Sequence, residues 1–153
     1  MIKVAFVCHG NICRSPLAEF LFLDKVKKLG LEDNFYVESF GTSGEELYNP
    51  VYPPIRAILS KRGIDCSKKR AQKLSPLDYD RFDYFFCMEE YNKKNALRIF
   101  GGDKDIKVSN LLEFTNLGKD VSDPYYYGGF DKVEEDIEKG VDELIKILTK
   151  KLK

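Results

Sequence analysis

Two rhythms of apolar positions alternate along the chain. Residues 2–7 form a short run of β-branched and aromatic side chains and read as a buried strand. Leu17, Phe20, Leu21 and Val26 then recur at helical spacing, and Ser15-Pro16 ahead of them places a cap-type residue before a proline, so a helix is predicted from there to about Gly30. Residues 35–40 read as a second strand. Ile55, Ile58 and Leu59 make another helical stripe that stops at Gly63, and Ser75-Pro76 opens a short helical turn. The aromatic run 82–88 predicts a third, central strand, residues 89–100 a helix ending at Gly101-Gly102, and residues 106–108 a short fourth strand. Val133, Ile137, Val141, Leu144 and Leu148 repeat every three or four residues, the clearest helical signal in the chain. Residues 41–54 and 111–129 lack either rhythm and read as loops, the second long enough to be functional.

Strands that alternate with helices imply right-handed βαβ units and a parallel sheet covered on both faces. The 153 residues suit one α/β domain spanning 1–153, with no internal repeat or linker. Composition adds mainly exclusions. Lys plus Arg and Asp plus Glu balance at 25 each, which argues against a nucleic-acid or membrane-surface binder. No apolar run approaches a membrane span, and no export signal is read at the amino end. The expectation is therefore a cytoplasmic protein with reduced thiols, a monomer or weak dimer. The spacing of Cys8, Cys13, Cys66 and Cys87, with a single histidine, gives no zinc pattern, so no metal and no cofactor are expected.

The chemistry concentrates in the loop after the first strand, Cys8-His9-Gly10-Asn11-Ile12-Cys13-Arg14-Ser15-Pro16. Ligands of an open parallel sheet bind at the carboxyl ends of its strands. Backbone N–H groups of such a loop, together with the following helix start, make an anion site. Gly10 lets the chain curl closely, Asn11 tolerates left-handed geometry, and Arg14 offers a planar fork to two phosphate oxygens. A Cys8 thiol beneath this positive cradle is favoured as thiolate and nucleophile, placed for in-line attack on phosphorus. A cysteine after a buried strand is otherwise a small core residue; here the whole loop stands in the order the chemistry needs. A proton donor is also required, and Asp123, in the proline- and glycine-framed aromatic patch 122–129, is the candidate, with Asp120 and Asp131 as fallbacks. From its motif alone Asp123 also fits an ordinary Asp-Pro turn.

The loop, with Ala18-Glu19, resembles the low-molecular-weight protein tyrosine phosphatases, and the resemblance extends through Gly41-Thr42-Ser43-Gly44, Asn49-Pro50, Phe82-Asp83-Tyr84, Cys87-Met88, Asn92 and Asp123-Pro124-Tyr125-Tyr126. It implies a four-stranded parallel sheet of flavodoxin-like βαβ units with helices on both faces. It also implies a metal-free phosphomonoesterase acting on phosphotyrosine proteins or peptides and releasing inorganic phosphate. By resemblance Cys8 is the nucleophile, Arg14 holds the phosphate and Asp123 is the general acid, while His9, Gly10, Asn11, Ile12, Cys13 and Ser15 complete the phosphate and substrate site. Tyr125 and Tyr126 match pocket walls that can themselves be phosphorylated. Ser15, Asn11 and Ser43 match a network that orients the thiolate, although Ser15 also suits a plain helix cap. Cys13 is implied as a reversible disulfide partner of Cys8.

Three positions depart from the family. Glu45 stands where an aromatic wall is common; either Tyr48 takes over that wall or the pocket mouth is more acidic. Tyr52 stands where an aspartate supports the nearby turn. Glu89 replaces an aspartate and is expected to reach Arg14. Competing readings are a phosphoarginine phosphatase, a thiol-dependent arsenate reductase and a phosphopeptide-binding module without turnover. No cysteine pair follows Met88 to resolve arsenate, the combination of Cys8, Arg14 and Asp123 disfavours mere binding, and apolar Ile12 favours an aryl ring over a guanidinium.

Overall fold

The computed structural model describes residues 1–118, 120–124 and 129–152. Its four strands, β1 (Ile2–Cys8), β2 (Phe35–Gly41), β3 (Tyr84–Cys87) and β4 (Val108–Asn110), form a sheet in the order β2-β1-β3-β4 with every pairing parallel. Helices α1 (Arg14–Lys28), α2 (Pro53–Lys61), α3 (Glu90–Phe100) and α4 (Phe130–Lys150) connect and follow them.

Strand alternation splits the interior in two. Val4, Phe6, Cys8 and Phe86 face a core shared with α1, α2 and α4, whereas Ala5, Val7, Phe85 and Cys87 face a smaller core under α3 and the turn Pro76–Arg81. Helices thus cover both faces, and the central β1 is apolar almost throughout because it is buried on both. The amphipathic α4 turns Val133, Ile137, Val141, Leu144 and Leu148 inward. At Gly140 a Cβ would stand 2.6 Å from Leu111 Cγ, so this mid-helix glycine, normally costing about 1 kcal/mol, lets α4 lie close on the Leu111–Phe114 turn.

Three boundaries differ from the sequence pattern. The fourth strand starts at Val108, two residues late. Ile106 is 85% exposed at φ 52° in a turn organised by the Asp103 carboxylate, which accepts from Lys107 N, Val108 N and the Tyr79 hydroxyl. The third strand is shorter than the aromatic run, because Phe82 turns into the second core and Asp83 accepts from Lys3 N beside the strand entry. Residues 111–129 open with a one-turn helix, Leu111–Phe114, whose Leu111 and Leu112 are buried.

Helix α2 is tied to α4 by Arg62, whose guanidinium meets Glu138 at 2.8 and 3.1 Å and Glu134 at 2.9 Å. The Arg62 hydrogen bonds, with help from Lys25, hold the Glu138 carboxyl down at about 2 from an ordinary 4.5. A depressed acid stabilises the fold fully above its unfolded value and loses that contribution as pH falls toward the folded one. The pair is only part-buried and screened by solvent, so its worth is about 1 kcal/mol. Glu138→Gln should therefore lower the unfolding temperature slightly at neutral pH. The gap to wild type should narrow as pH is taken from 7 toward 3, and a gap that stays constant would refute the assignment.

Candidate active site

The register pairs Cys8 with Gly41 and Val7 with Cys87, so the ends of the three longest strands converge where β1 gives way to α1. The turn between them encloses Cys8, which is 2% exposed. Asn11 takes a left-handed backbone at φ 60° and aims its N–H at Cys8 Sγ, 3.3 Å away. That conformation is held by side-chain bonds from three directions. Asn11 Nδ2 donates to Ser15 Oγ at 2.8 Å and to Ser39 Oγ at 2.9 Å, and Asn11 Oδ1 accepts from Gln72 N at 3.0 Å. Ser15 Oγ lies 2.9 Å from Cys8 Sγ. The network continues through Ser39, whose hydroxyl donates to Glu19 at 2.5 Å, and Lys69, whose ammonium donates to Ser39 O at 3.0 Å and lies 3.4 Å from Glu19. Burial pushes the Glu19 carboxyl up, against the opposing pull of Lys69 and Ser39.

A second backbone braces the loop from outside. Thr42 N donates to Cys8 O and Ser43 N to His9 O. Gly41 sits so close that a Cβ there would lie 2.7 Å from His9 O and 3.0 Å from Gly10 C. Tyr52 N donates to Ile12 O at 2.8 Å, so the loop is supported here by a backbone amide.

Arg14 opens α1 and is 1% exposed. Its Nη1 donates to Val121 O at 3.0 Å, and its Nη2 meets Glu89 Oε1 at 3.2 Å and Asp123 Oδ2 at 3.4 Å. Burial works against the charge, but Cys8, Glu89 and Asp123 outweigh it, so the guanidinium is held firmly protonated. Val121 N in turn donates to Met88 O at 2.8 Å, which moors the Asp123 segment to the end of β3. Over a hundred residues of separation thus close into one site.

A cavity of about 180 Å³ opens above Cys8, walled by His9, Gly10, Ile12, Cys13 and Arg14 from the loop, Glu45 and Glu46 from the segment after β2, and Asp123. All four cysteines are free, and burial pushes the Cys13, Cys66 and Cys87 thiols up. Among the described residues no group of His, Cys, Asp and Glu side chains is placed to hold a metal ion.

Most expected residues meet here, with exceptions. Asn11 and Ser15 lie behind the cavity as supports, and Ser15 is inside α1 bonded to the thiol, so it is not the helix cap. Ser43 is not in the network: its hydroxyl accepts from Glu45 N, and Ser39 holds the position instead. Tyr48 is 75% exposed in a positive-φ turn and does not line the cavity, so it does not replace the missing aromatic wall; Glu46 lies there. Asp120 accepts from Glu90 N at the start of α3, and Asp131 lies in the first turn of α4, so neither fallback lines the cavity. Tyr125 and Tyr126 fall outside the described residues. The pattern missed Ser39, Lys69 and Gln72 and gave Glu19 no role beyond the motif; the available signal was the polar pair Glu38-Ser39 inside an otherwise apolar strand.

Glu89 reaches Arg14 as expected from its position, and its carboxylate also caps α3. Glu89→Gln keeps an oxygen for the cap and removes the charge, whereas Glu89→Ala removes both. Each should raise the inhibition constant of inorganic phosphate, by roughly tenfold for the alanine variant, the worth of one charge-assisted hydrogen bond. An unchanged constant would show that Arg14 needs only Val121 and Asp123.

A family model described as low molecular weight phosphotyrosine protein phosphatase matches residues 3–153. The low molecular weight protein-tyrosine-phosphatase YfkJ of Bacillus subtilis is 38% identical over 153 residues, covering 98% of this chain and 97% of that protein. A low molecular weight phosphotyrosine protein phosphatase of Schizosaccharomyces pombe is 43% identical over 130 residues, 83% of each chain. The crystal structure of YfkJ from Bacillus subtilis superposes with a TM-score of 0.95 at 36% identity, covering 100% of this chain and 98% of that one.

Proposed function

Since the chain belongs to the low molecular weight phosphotyrosine protein phosphatases, we propose that it hydrolyses phosphotyrosine in proteins or peptides through a phosphocysteine intermediate. One observation carries the reading: Cys8 Sγ, the Arg14 fork and the Asp123 carboxylate share a single small cavity.

The phosphoryl group enters with its oxygens on the loop N–H groups and Arg14, where developing equatorial charge is held without reorganisation. Cys8 thiolate attacks phosphorus, the P–O bond breaks, and the leaving phenoxide takes the proton of Asp123. Asp123, now a carboxylate, removes a proton from water; the hydroxide oxygen bonds to phosphorus, the P–S bond breaks, and inorganic phosphate leaves with Cys8 restored as thiolate. Ser15 Oγ and Asn11 N–H stabilise the thiolate as it departs. The network through Ser39 and Glu19 keeps those two donors aimed.

Ile12 supports an aryl substrate. It is 8% exposed, lines the cavity and offers a ring apolar contact, whereas a guanidinium would find no partner on it. Matched peptides carrying phosphotyrosine or phosphoarginine, assayed with a chelator present, test the reading. Phosphotyrosine should be turned over with kcat/KM higher by at least about tenfold, the discrimination expected where one substrate leaves a polar group unpaired. Rapid acid quench should trap a phosphorylated Cys8. Faster phosphoarginine cleavage would transfer the function to that substrate.

A further inference from the structure

The mouth of the cavity has a charge opposite to its floor. Among the described lining residues Arg14 and His9 are the basic ones; Asp123 answers Arg14, and His9 stands beside Glu45. Glu45 and Glu46 also line the cavity, but among the described residues neither meets an arginine or lysine. Glu45 is 70% exposed at its side chain, 3.4 Å from His9 Nε2, and Glu46 accepts from the neutral Asn49 amide at 2.6 Å. Lys73 lies behind this segment with its stem near Gly44 and does not line the cavity. Outside the cavity lining, the Tyr91 ring stands 6.3 Å from the His9 ring and is 59% exposed. Carboxylates and an open aromatic face therefore succeed one another around the rim through His9.

A phosphotyrosine dianion is drawn to Arg14, but the peptide flanking it meets this negative rim. A neighbouring acidic residue is repelled there, while a cationic one gains ion pairs and a ring face. We propose that the rim selects phosphotyrosine sites flanked by arginine or lysine, with the side-chain cation held by Glu45 and Glu46 and packed on Tyr91. The proposal rests on the phosphotyrosine reading and names its substrate class.

The test uses two phosphotyrosine peptides, identical except for arginines or glutamates on either side of the phosphotyrosine, with p-nitrophenyl phosphate alongside. The readout is the kcat/KM ratio of the two peptides on one enzyme, so any general loss in a variant cancels. Wild type should favour the arginine peptide by about fivefold or more at low salt, the scale of two partly solvated ion pairs, and less at high salt. Glu45→Lys/Glu46→Lys should reverse the ratio, and Tyr91→Ala should lower it without reversal. Equal use of the peptides by wild type, or a ratio untouched by charge reversal, overturns the rim assignment alone. Failure of wild type to hydrolyse either peptide or p-nitrophenyl phosphate overturns the reading beneath it.

Discussion

Cys8→Ser should abolish turnover of aryl phosphates, with a fall in kcat of at least about 10⁴-fold, the scale seen when a nucleophile is removed. The substitution keeps the size of the buried side chain and its proximity to Ser15 and the Asn11 N–H, so the fold and the anion cradle should persist. Titration calorimetry should accordingly show inorganic phosphate still binding, because Arg14 and the loop amides hold it. The pairing of lost turnover with retained binding separates a nucleophile from a structural thiol. Residual hydrolysis within a few-fold of wild type would mean that water attacks directly and that Cys8 is a core residue. Cys13 is no substitute, since burial keeps its thiol protonated.

Asp123→Ala should show its effect through the leaving group. With phenyl phosphate, whose phenoxide needs a proton, the loss should be about 10² to 10⁴-fold, the ordinary contribution of a general acid. With p-nitrophenyl phosphate, whose anion leaves readily, the first step should be far less affected. Hydrolysis of phosphocysteine should then become limiting, because the same carboxylate activates water. A burst of p-nitrophenol equal to the enzyme concentration, followed by a slow phase, is the signature. Asp123 also lies 3.4 Å from Arg14, so Asp123→Asn serves as a control that retains a polar neighbour there. An equal loss in the first step on both esters, with no burst, would assign Asp123 to holding Arg14 and leave the proton donor to be found elsewhere.

The sheet, its order of elements and the tight loop after the first strand were legible because local pattern and local chemistry coincide there. A buried strand, a glycine, a residue tolerant of left-handed backbone and an arginine at a helix start are close in sequence and act on one another directly. The errors fall where a side-chain or backbone contact, near or distant, overrides the apolar pattern. Ile106 looks like a strand residue, yet the Asp103 carboxylate takes the neighbouring amides and turns it outward. Tyr48 looks like a pocket wall, yet its N–H is tied to Ala71 O and its ring stands in solvent. Ser39 could be told from Ser43 only by register, since Asn11 selects the hydroxyl on the inner face of β2. Asp123 was legible as a motif, but only the bonds of Val121 to Met88 and Arg14 bring it to Cys8.

The close approach of Gly41 to the loop also bears on how the catalytic cycle ends. Two backbones and the Asn11 bonds fix the cradle's shape, so little conformational entropy is lost when a tetrahedral anion enters it. On the proposed mechanism, a template this rigid would not distinguish an incoming ester from the orthophosphate product. The product would then compete for the same seat, its escape would be a candidate for the slowest step, and the ambient concentration of free phosphate would set how much of the protein is open for work.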